Sequence, residues 1–259
     1  MTGRLAVLAL VAFMTLPTAV VIAVSFNPTA IMAFPPAGLS LRWYANALTY
    51  PQFQRAAVNS LWVTLGATLL ALPIGTAAAL ALERSRLRTP NAWATVLLSP
   101  LVVPGVAAGL GFLILAAASG LLRSRAVLIA AHAALVLPFV VRSVWVSVRN
   151  LDPALERAAA SLGASPWRAF RRVTLPLLRP GLVAGLLFAA IVSVNEFVVS
   201  LFISTRVTEI LPVAMFTYVV NYTDPTIAAL SSLFIATTFA LVWLADRYLG
   251  LGRVFLIDH

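Results

Sequence analysis

Residues 126–147 read AVLIAAHAALVLPFVVRSVWVS, and this stretch decides the fold. Apart from His132, Arg142, Ser143 and Ser147 it is apolar throughout. Wound as a helix at about 1.5 Å per residue, it is long enough to cross a hydrocarbon core about 30 Å thick. Comparable runs lie at about 5–25, 58–82, 92–118, 181–203 and 227–245. The sequence therefore predicts an all-α membrane protein with six transmembrane helices in a single transmembrane domain over residues 1–259. Composition agrees: 61% of residues are hydrophobic and 10% charged, which leaves too little polar surface to cover a water-soluble globule. A β-barrel is excluded, because its spans are shorter and alternate in polarity. The first run follows Arg4 but is longer than the apolar core of a signal peptide and has no small-x-small cleavage site before Asn27, so it reads as a span.

The net charge of +10 comes from eighteen arginines gathered in short segments between the apolar runs, a membrane-topology pattern rather than a nucleic-acid-binding face. Basic residues near span ends are held on the cytoplasmic side. With both termini inside, the cytoplasmic segments carry Arg4, Arg84, Arg86, Arg88, Arg149, Arg157, Arg168, Arg171, Arg172, Arg179, Arg247 and Arg253. The outside then holds Arg42, Arg55, Arg123, Arg125 and Arg206, and Arg142 snorkels towards the cytoplasmic headgroups. This predicts a multi-pass membrane protein with both termini on the cytoplasmic side.

The chain has no cysteine, so disulfides, thiolate metal sites and cysteine nucleophiles are excluded. It has no lysine either, which removes the Walker A phosphate loop and Schiff-base chemistry. Any ATP that drives this protein must be bound by another chain. Two histidines and eight acids, widely scattered, offer no clustered catalytic or metal-binding set.

Two external segments exceed a hairpin turn. Ser25 to Ala57 contains Pro28, Pro35, Pro36 and Pro51 around Arg42-Trp43-Tyr44, and Ser204 to Thr226 reads as a short re-entrant or interfacial element. In the third run Pro100, Pro104, Gly105, Gly109 and Gly111 fit either a close packing face or a bend lining a pathway.

The longest cytoplasmic segment, about 148–180, holds RNLDPALERAAASLGASPWRAFRRVTLPLLRP over residues 149–180. Asp152-Pro153 suits a helix start and Gly163 a helix end, and Ser165-Pro166 starts a second short helix with Trp167, Phe170 and Val173 on one side. Two short helices joined at a glycine form a knuckle with apolar surface on one side and arginines on the other. Such a surface fits a protein partner or anionic lipid headgroups.

The segment resembles the EAA loop of the membrane subunits of binding-protein-dependent ABC importers, whose pattern is E-A-A, three residues, G, nine residues, I-x-L-P. Ala158 and Ala159 match the two alanines, Gly163 the glycine, Val173 the isoleucine position and Leu175-Pro176 the closing pair. The spacing is kept without a gap. One departure is that Arg157 stands at the glutamate position and Glu156 lies one residue earlier. The resemblance implies a type I ABC importer permease fold. It also implies a coupling loop, with Glu156, Arg157, Ala158, Ala159, Gly163, Leu175 and Pro176 among its docking residues, that meets a separate ATPase subunit binding ATP and Mg. Two ATPase copies, a second homologous permease subunit and an external solute-binding protein complete the implied assembly, and this chain carries no cofactor of its own.

The resemblance covers the region from Arg42 to the C-terminus. Ser193-Val-Asn195-Glu196, Leu211-Pro-Val-Ala-Met215 and Asp224-Pro-Thr-Ile-Ala-Ala229 look like stretches of spermidine/putrescine-type permeases, shared in part with importers of aminoethylphosphonate, opines and ferric iron. Glu196 is the sole acid inside a predicted span, some 22 Å along it, with Ser193 and Ser200 expected on the same helix face and Asn195 offset. Such a carboxylate fits attraction of a cationic amine or an interhelical hydrogen bond. His132 and Asn59 read as packing donors. A self-sufficient secondary transporter or channel is the alternative; it calls for coupling charges on several helices and an internal repeat of hydropathy.

Overall fold

The computed structural model describes residues 2–84, 89–122 and 124–249, and Arg86, Arg88, Arg123 and Arg253 lie outside them. Its elements are helical: α1 (Thr2–Val24), α2 (Arg42–Thr49), α3 (Pro51–Arg84), α4 (Pro90–Leu98), α5 (Gly105–Ala118), α6 (Arg125–Arg149), α7 (Pro153–Ser161), α8 (Pro166–Ala169), α9 (Leu175–Leu177), α10 (Arg179–Asn195), α11 (Val198–Ile203), α12 (Leu211–Asn221) and α13 (Thr226–Leu249). Among the described residues, four helices are long and apolar enough to cross a membrane, and two bent pairs bring the number to six when each pair is one span. Their outward side chains are apolar: on α1, Phe13 is 76% and Met14 69% exposed, surface that only lipid or a partner subunit can cover at low cost.

The chain forms two compact units. One comprises residues 1–59 and 209–240. Here the proline-rich segment delivers α2, whose buried Trp43 donates from Nε1 to the Asn27 carbonyl at 2.7 Å. Tyr44 meets the hydroxyls of Ser25 (2.7 Å) and Ser232 (2.9 Å), so α2 is tied to α1 and α13. The predicted re-entrant element is α12, an eleven-residue apolar helix started by Leu211-Pro212. It packs Ala214 and Tyr218 against Ala47, Phe53 and Ala56. Asn59 acts as the packing donor expected of it, with its side-chain amide 3.0 Å from the Glu209 carbonyl.

The other unit comprises residues 60–208 and 241–259, and it is organised around α6. The Ser124 side chain caps α6 by accepting from the Ala126 N–H at 3.1 Å. Val136, Val140, Val144 and Val148 then form a buried stripe at four-residue spacing, packed with Ala71 and Ala79 of α3 and Ala189 of α10. Arg142 is exposed on the opposite face.

The third apolar run is not one straight helix. It breaks at Val102–Pro104 and turns by 91° into α5, because Pro104 lacks an N–H and its ring drives Val103 out of helical geometry. Its glycines divide by role. A Cβ on Gly109 would sit 2.7 Å from Phe202 Cδ2 and one on Gly105 3.2 Å from Val198 Cγ1, so both serve close packing against α11, whereas Gly111 faces open space. The fifth run is also interrupted. α10 ends at Asn195, Glu196 turns to extended backbone with ψ 118, and α11 restarts at Val198.

Candidate functional site

Two groups of side chains in the second unit stand out: the loop over residues 148–180 and the interruption of the fifth run.

In the loop, Asp152 accepts from the Ala154 N–H at 2.8 Å and Pro153 occupies the first helical position, so α7 starts where the sequence expects. It ends in a Schellman arrangement: the Gly163 N–H donates to the Ala160 carbonyl at 2.9 Å and the Ala164 N–H to the Ala159 carbonyl at 3.0 Å. Gly163 has φ +81, a conformation that side-chain-bearing residues adopt at a cost. The second helix starts at Pro166 but takes a π-helical turn over Phe170–Thr174 before α9. Trp167 and Phe170 stack with ring centroids 5.6 Å apart. Leu162 (89% exposed) and Trp167 (68% exposed) make the knuckle apolar at its tip.

Arg157 and Ala158 are exposed, Ala159, Leu175 and Pro176 are half-buried, and Gly163 lies at the exposed turn. Glu156 turns inward. Its Oε1 accepts from Arg84 Nη2 at 2.5 Å and also from the Thr174 hydroxyl. Next to it, Glu83 Oε2 accepts from Trp145 Nε1 at 2.8 Å and faces Arg149 Nε at 3.9 Å. Glu83, Arg84, Arg149, Glu156 and Thr174 line a crevice of about 320 Å³ between the end of α3, the end of α6 and the knuckle. Burial pushes the Glu156 carboxyl up, but the Thr174 hydroxyl and the Arg84 guanidinium together outweigh it and hold the carboxyl below its ordinary range. The tie is therefore intact at neutral pH and is lost as pH falls through that depressed value. The roles of Glu83, Arg84 and Thr174 are absent from the sequence reading. A lone acid on the first turn of α7, beside the arginine that closes α3, is the signal that could have found the pair.

Because the Arg84–Glu156 pair is partly exposed, its removal costs no more than about 1 kcal/mol. Arg84→Ala is expected to speed amide hydrogen exchange across α7 by up to about fivefold with little change in yield. Unaltered exchange would show that this pair does not hold the knuckle.

At the interruption of the fifth run the structure corrects one expectation. Ser193, Glu196 and Ser200 do not share one helix face, because the helix stops between them. Ser193 and Ser200 are buried and face His132: Nδ1 lies 2.9 Å from Ser193 Oγ and Nε2 2.8 Å from Ser200 Oγ. Ser193 Oγ in turn donates to Thr64 Oγ1 at 3.2 Å. Glu196 is half-buried, and its Oε1 accepts from the Val199 N–H at 2.7 Å, taking up a backbone donor that the start of α11 leaves free. The carboxylate favours this short-range bond, which competes with continuing the helix. Asn195 is exposed and returns its amide to the Ile191 carbonyl at 2.8 Å. His132 packs α6 against the interrupted run through hydrogen bonds, and the sequence signal for its partners is two serines seven residues apart.

These features define a polytopic α-helical membrane protein with an exposed helical knuckle and a polar interruption in an apolar span. No family model matches the chain. It is 33% identical over 228 residues to the putrescine transport system permease protein PotI of Escherichia coli strain K12, covering 85% of this chain and 81% of that protein. It is 32% identical over 250 residues to the putative 2-aminoethylphosphonate transport system permease protein PhnV of Salmonella typhimurium (95% and 92%) and 29% identical over 235 residues to the spermidine/putrescine transport system permease protein PotC of Haemophilus influenzae (91% and 91%). Its fold matches a bacterial ABC transporter that imports the acidic polysaccharide alginate, with TM-score 0.74 at 16% identity over 95% of both chains. The chain belongs to the permease subunits of ABC importers.

Proposed function

We propose that this chain is one of two homologous permease subunits of an inner-membrane importer for a cationic amine of the polyamine type. Both termini and the 148–180 loop lie in the cytoplasm in this reading, as the arginine distribution requires. Two ATPase subunits, which bind ATP and Mg, dock on the knuckle, and an external solute-binding protein delivers the amine. Glu156 is already held by Arg84 and Thr174, so the polar contact to the ATPase falls to the exposed Arg157, with Leu162 and Trp167 as apolar anchors. Such an arrangement transmits force because packed helices move as bodies.

The observation that carries the amine reading is Glu196: a carboxylate beside the exposed Asn195, about 25 Å along α10 from its start, in a chain one-third identical to a putrescine permease. A carboxylate at membrane depth attracts a cation and repels a phosphonate. The likeness to PhnV makes 2-aminoethylphosphonate the second reading.

Uptake of labelled putrescine and 2-aminoethylphosphonate into proteoliposomes holding the complete importer separates them. Putrescine uptake is expected, with Glu196→Gln lowering kcat/KM about tenfold, the scale of one lost charged contact. Uptake of the phosphonate alone, or putrescine kinetics untouched by Glu196→Gln, would remove the amine reading. A transport-competent protein that purifies without an ATPase or a second permease would return the chain to the class of self-sufficient transporters.

A further inference from the structure

We infer that His132 is a positioning residue for transport: its imidazole pins the two halves of the interrupted fifth span at a fixed angle and thereby sets where Asn195 and Glu196 project. The inference rests on the reading of Glu196 as a solute-facing group.

Ser193 lies on the last turns of α10 and Ser200 in the middle of α11, and one buried ring bonds to both. In a continuous helix residues seven apart are separated by about 10.5 Å along the axis. A ring bonded through both nitrogens spans at most about 8 Å between its two partner atoms. The turn at Glu196 and Phe197 suits this bridge better than a straight helix, and the bridge in turn resists straightening.

The hydrogen-bond order is complete. Ser193 gives its proton to Thr64, so it accepts from the ring Nδ1–H, which leaves Nε2 to accept from the Ser200 hydroxyl. Three segments, α6, α10 and α11, meet at one ring with both nitrogens satisfied, and α3 joins them through the Ser193–Thr64 bond. A buried polar network of this kind fixes one geometry, because any other leaves a donor or acceptor unpaired in an apolar surrounding. Glu196 sits between the two pinned serines and is itself bonded to the Val199 N–H, so its carboxylate inherits the angle. The ring bonds to Ser193 and Ser200, not to the Glu196 carboxylate, and acts on it through them.

The test is a double-mutant cycle in the complete importer in proteoliposomes, with uptake measured against solute concentration for wild type, His132→Leu, Glu196→Gln and the double variant. Putrescine and 2-aminoethylphosphonate both carry an ammonium group that the Glu196 carboxylate can meet, so the cycle is run with whichever of the two the wild type carries. Each single change is expected to lower kcat/KM about tenfold through KM, and the double also by about tenfold rather than a hundredfold, since both act through one carboxylate. His132→Gln, whose amide can donate to Ser193 and accept from Ser200, is expected to recover most of the loss. If Glu196→Gln alone is silent, the solute-facing reading of Glu196 fails and the inference falls with it. If Glu196→Gln is damaging but the losses multiply, or His132→Leu slows maximal rate with KM unchanged, or His132→Gln behaves like His132→Leu, the bridge alone is overturned. Should His132→Leu not assemble, Ser200→Ala replaces it, opening one end of the bridge while keeping the Ser193–Thr64 contact, and is read by the same criteria.

Discussion

Gly163→Pro is expected to abolish both uptake and solute-stimulated ATP hydrolysis while the variant still reaches the membrane and assembles. The residue closes α7 at φ +81, and proline is locked near −65°, so the turn cannot form with proline in it. Proline also removes the N–H that the Ala160 carbonyl accepts, and the neighbouring bond from Ala164 to the Ala159 carbonyl depends on the same left-handed turn. The Ala159 and Ala160 carbonyls lose their partners together, and the direction in which α8 leaves α7 is lost with them. Little else suffers, because a Cβ at Gly163 meets no atom within 4 Å and Leu162 beside it is 89% exposed. Gly163→Ala, which costs about 1–2 kcal/mol in this conformation without removing the N–H, is expected to weaken stimulation only partly. The readout is ATPase activity of the purified assembly with and without loaded binding protein. Full stimulation in Gly163→Pro would mean that the knuckle is not the part that couples the two activities.

Local chemistry made that turn legible from sequence. An Asp-Pro start and a glycine stop are decided by residues within a few positions, and hydropathy over twenty-residue windows located the apolar runs. What the sequence hid depends on distant partners. Glu156 pairs with Arg84, 72 residues away, and His132 with Ser193, 61 residues away. Nothing local to either residue announces the partner. The interruption at Glu196 was hidden for a different reason: residues 181–203 are apolar nearly throughout, so averaged hydropathy runs smoothly across the point where α10 ends and one carboxylate takes a backbone N–H at the start of α11. The break before Pro104 was at least foreshadowed, since proline announces itself; its 91° size was not.

The second large effect belongs to the seam that carries His132. Along α10 the buried residues are Gly181, Gly185, Ala189 and Ser193, a small side chain every fourth position, and they face α6. Glycines four apart let two membrane helices bring their backbones together, which is what drives packing where lipid offers no hydrophobic gain. A Cβ on Gly181 would lie 2.8 Å from Ser147 Cβ and 2.9 Å from the Ser143 carbonyl oxygen, and one on Gly185 would lie 3.3 Å from Val140 Cα. Backbone atoms cannot swing aside as a flexible side chain can, so Gly181→Leu must wedge α10 away from α6, at a cost beyond the about 1–3 kcal/mol usual for overpacking. The seam ends at Ser193, so the wedge would also pull that hydroxyl off His132. Gly181→Leu is therefore expected to leave no monodisperse protein after detergent extraction. Gly111→Leu is the matched control: nothing lies within 4 Å of a Cβ there, and leucine favours a helix more than glycine does, so wild-type yield and melting are expected. A Gly181→Leu protein that melts like the wild type would show that the α6–α10 contact does not hold this unit together, and the His132 bridge would then have no rigid seam to stand on.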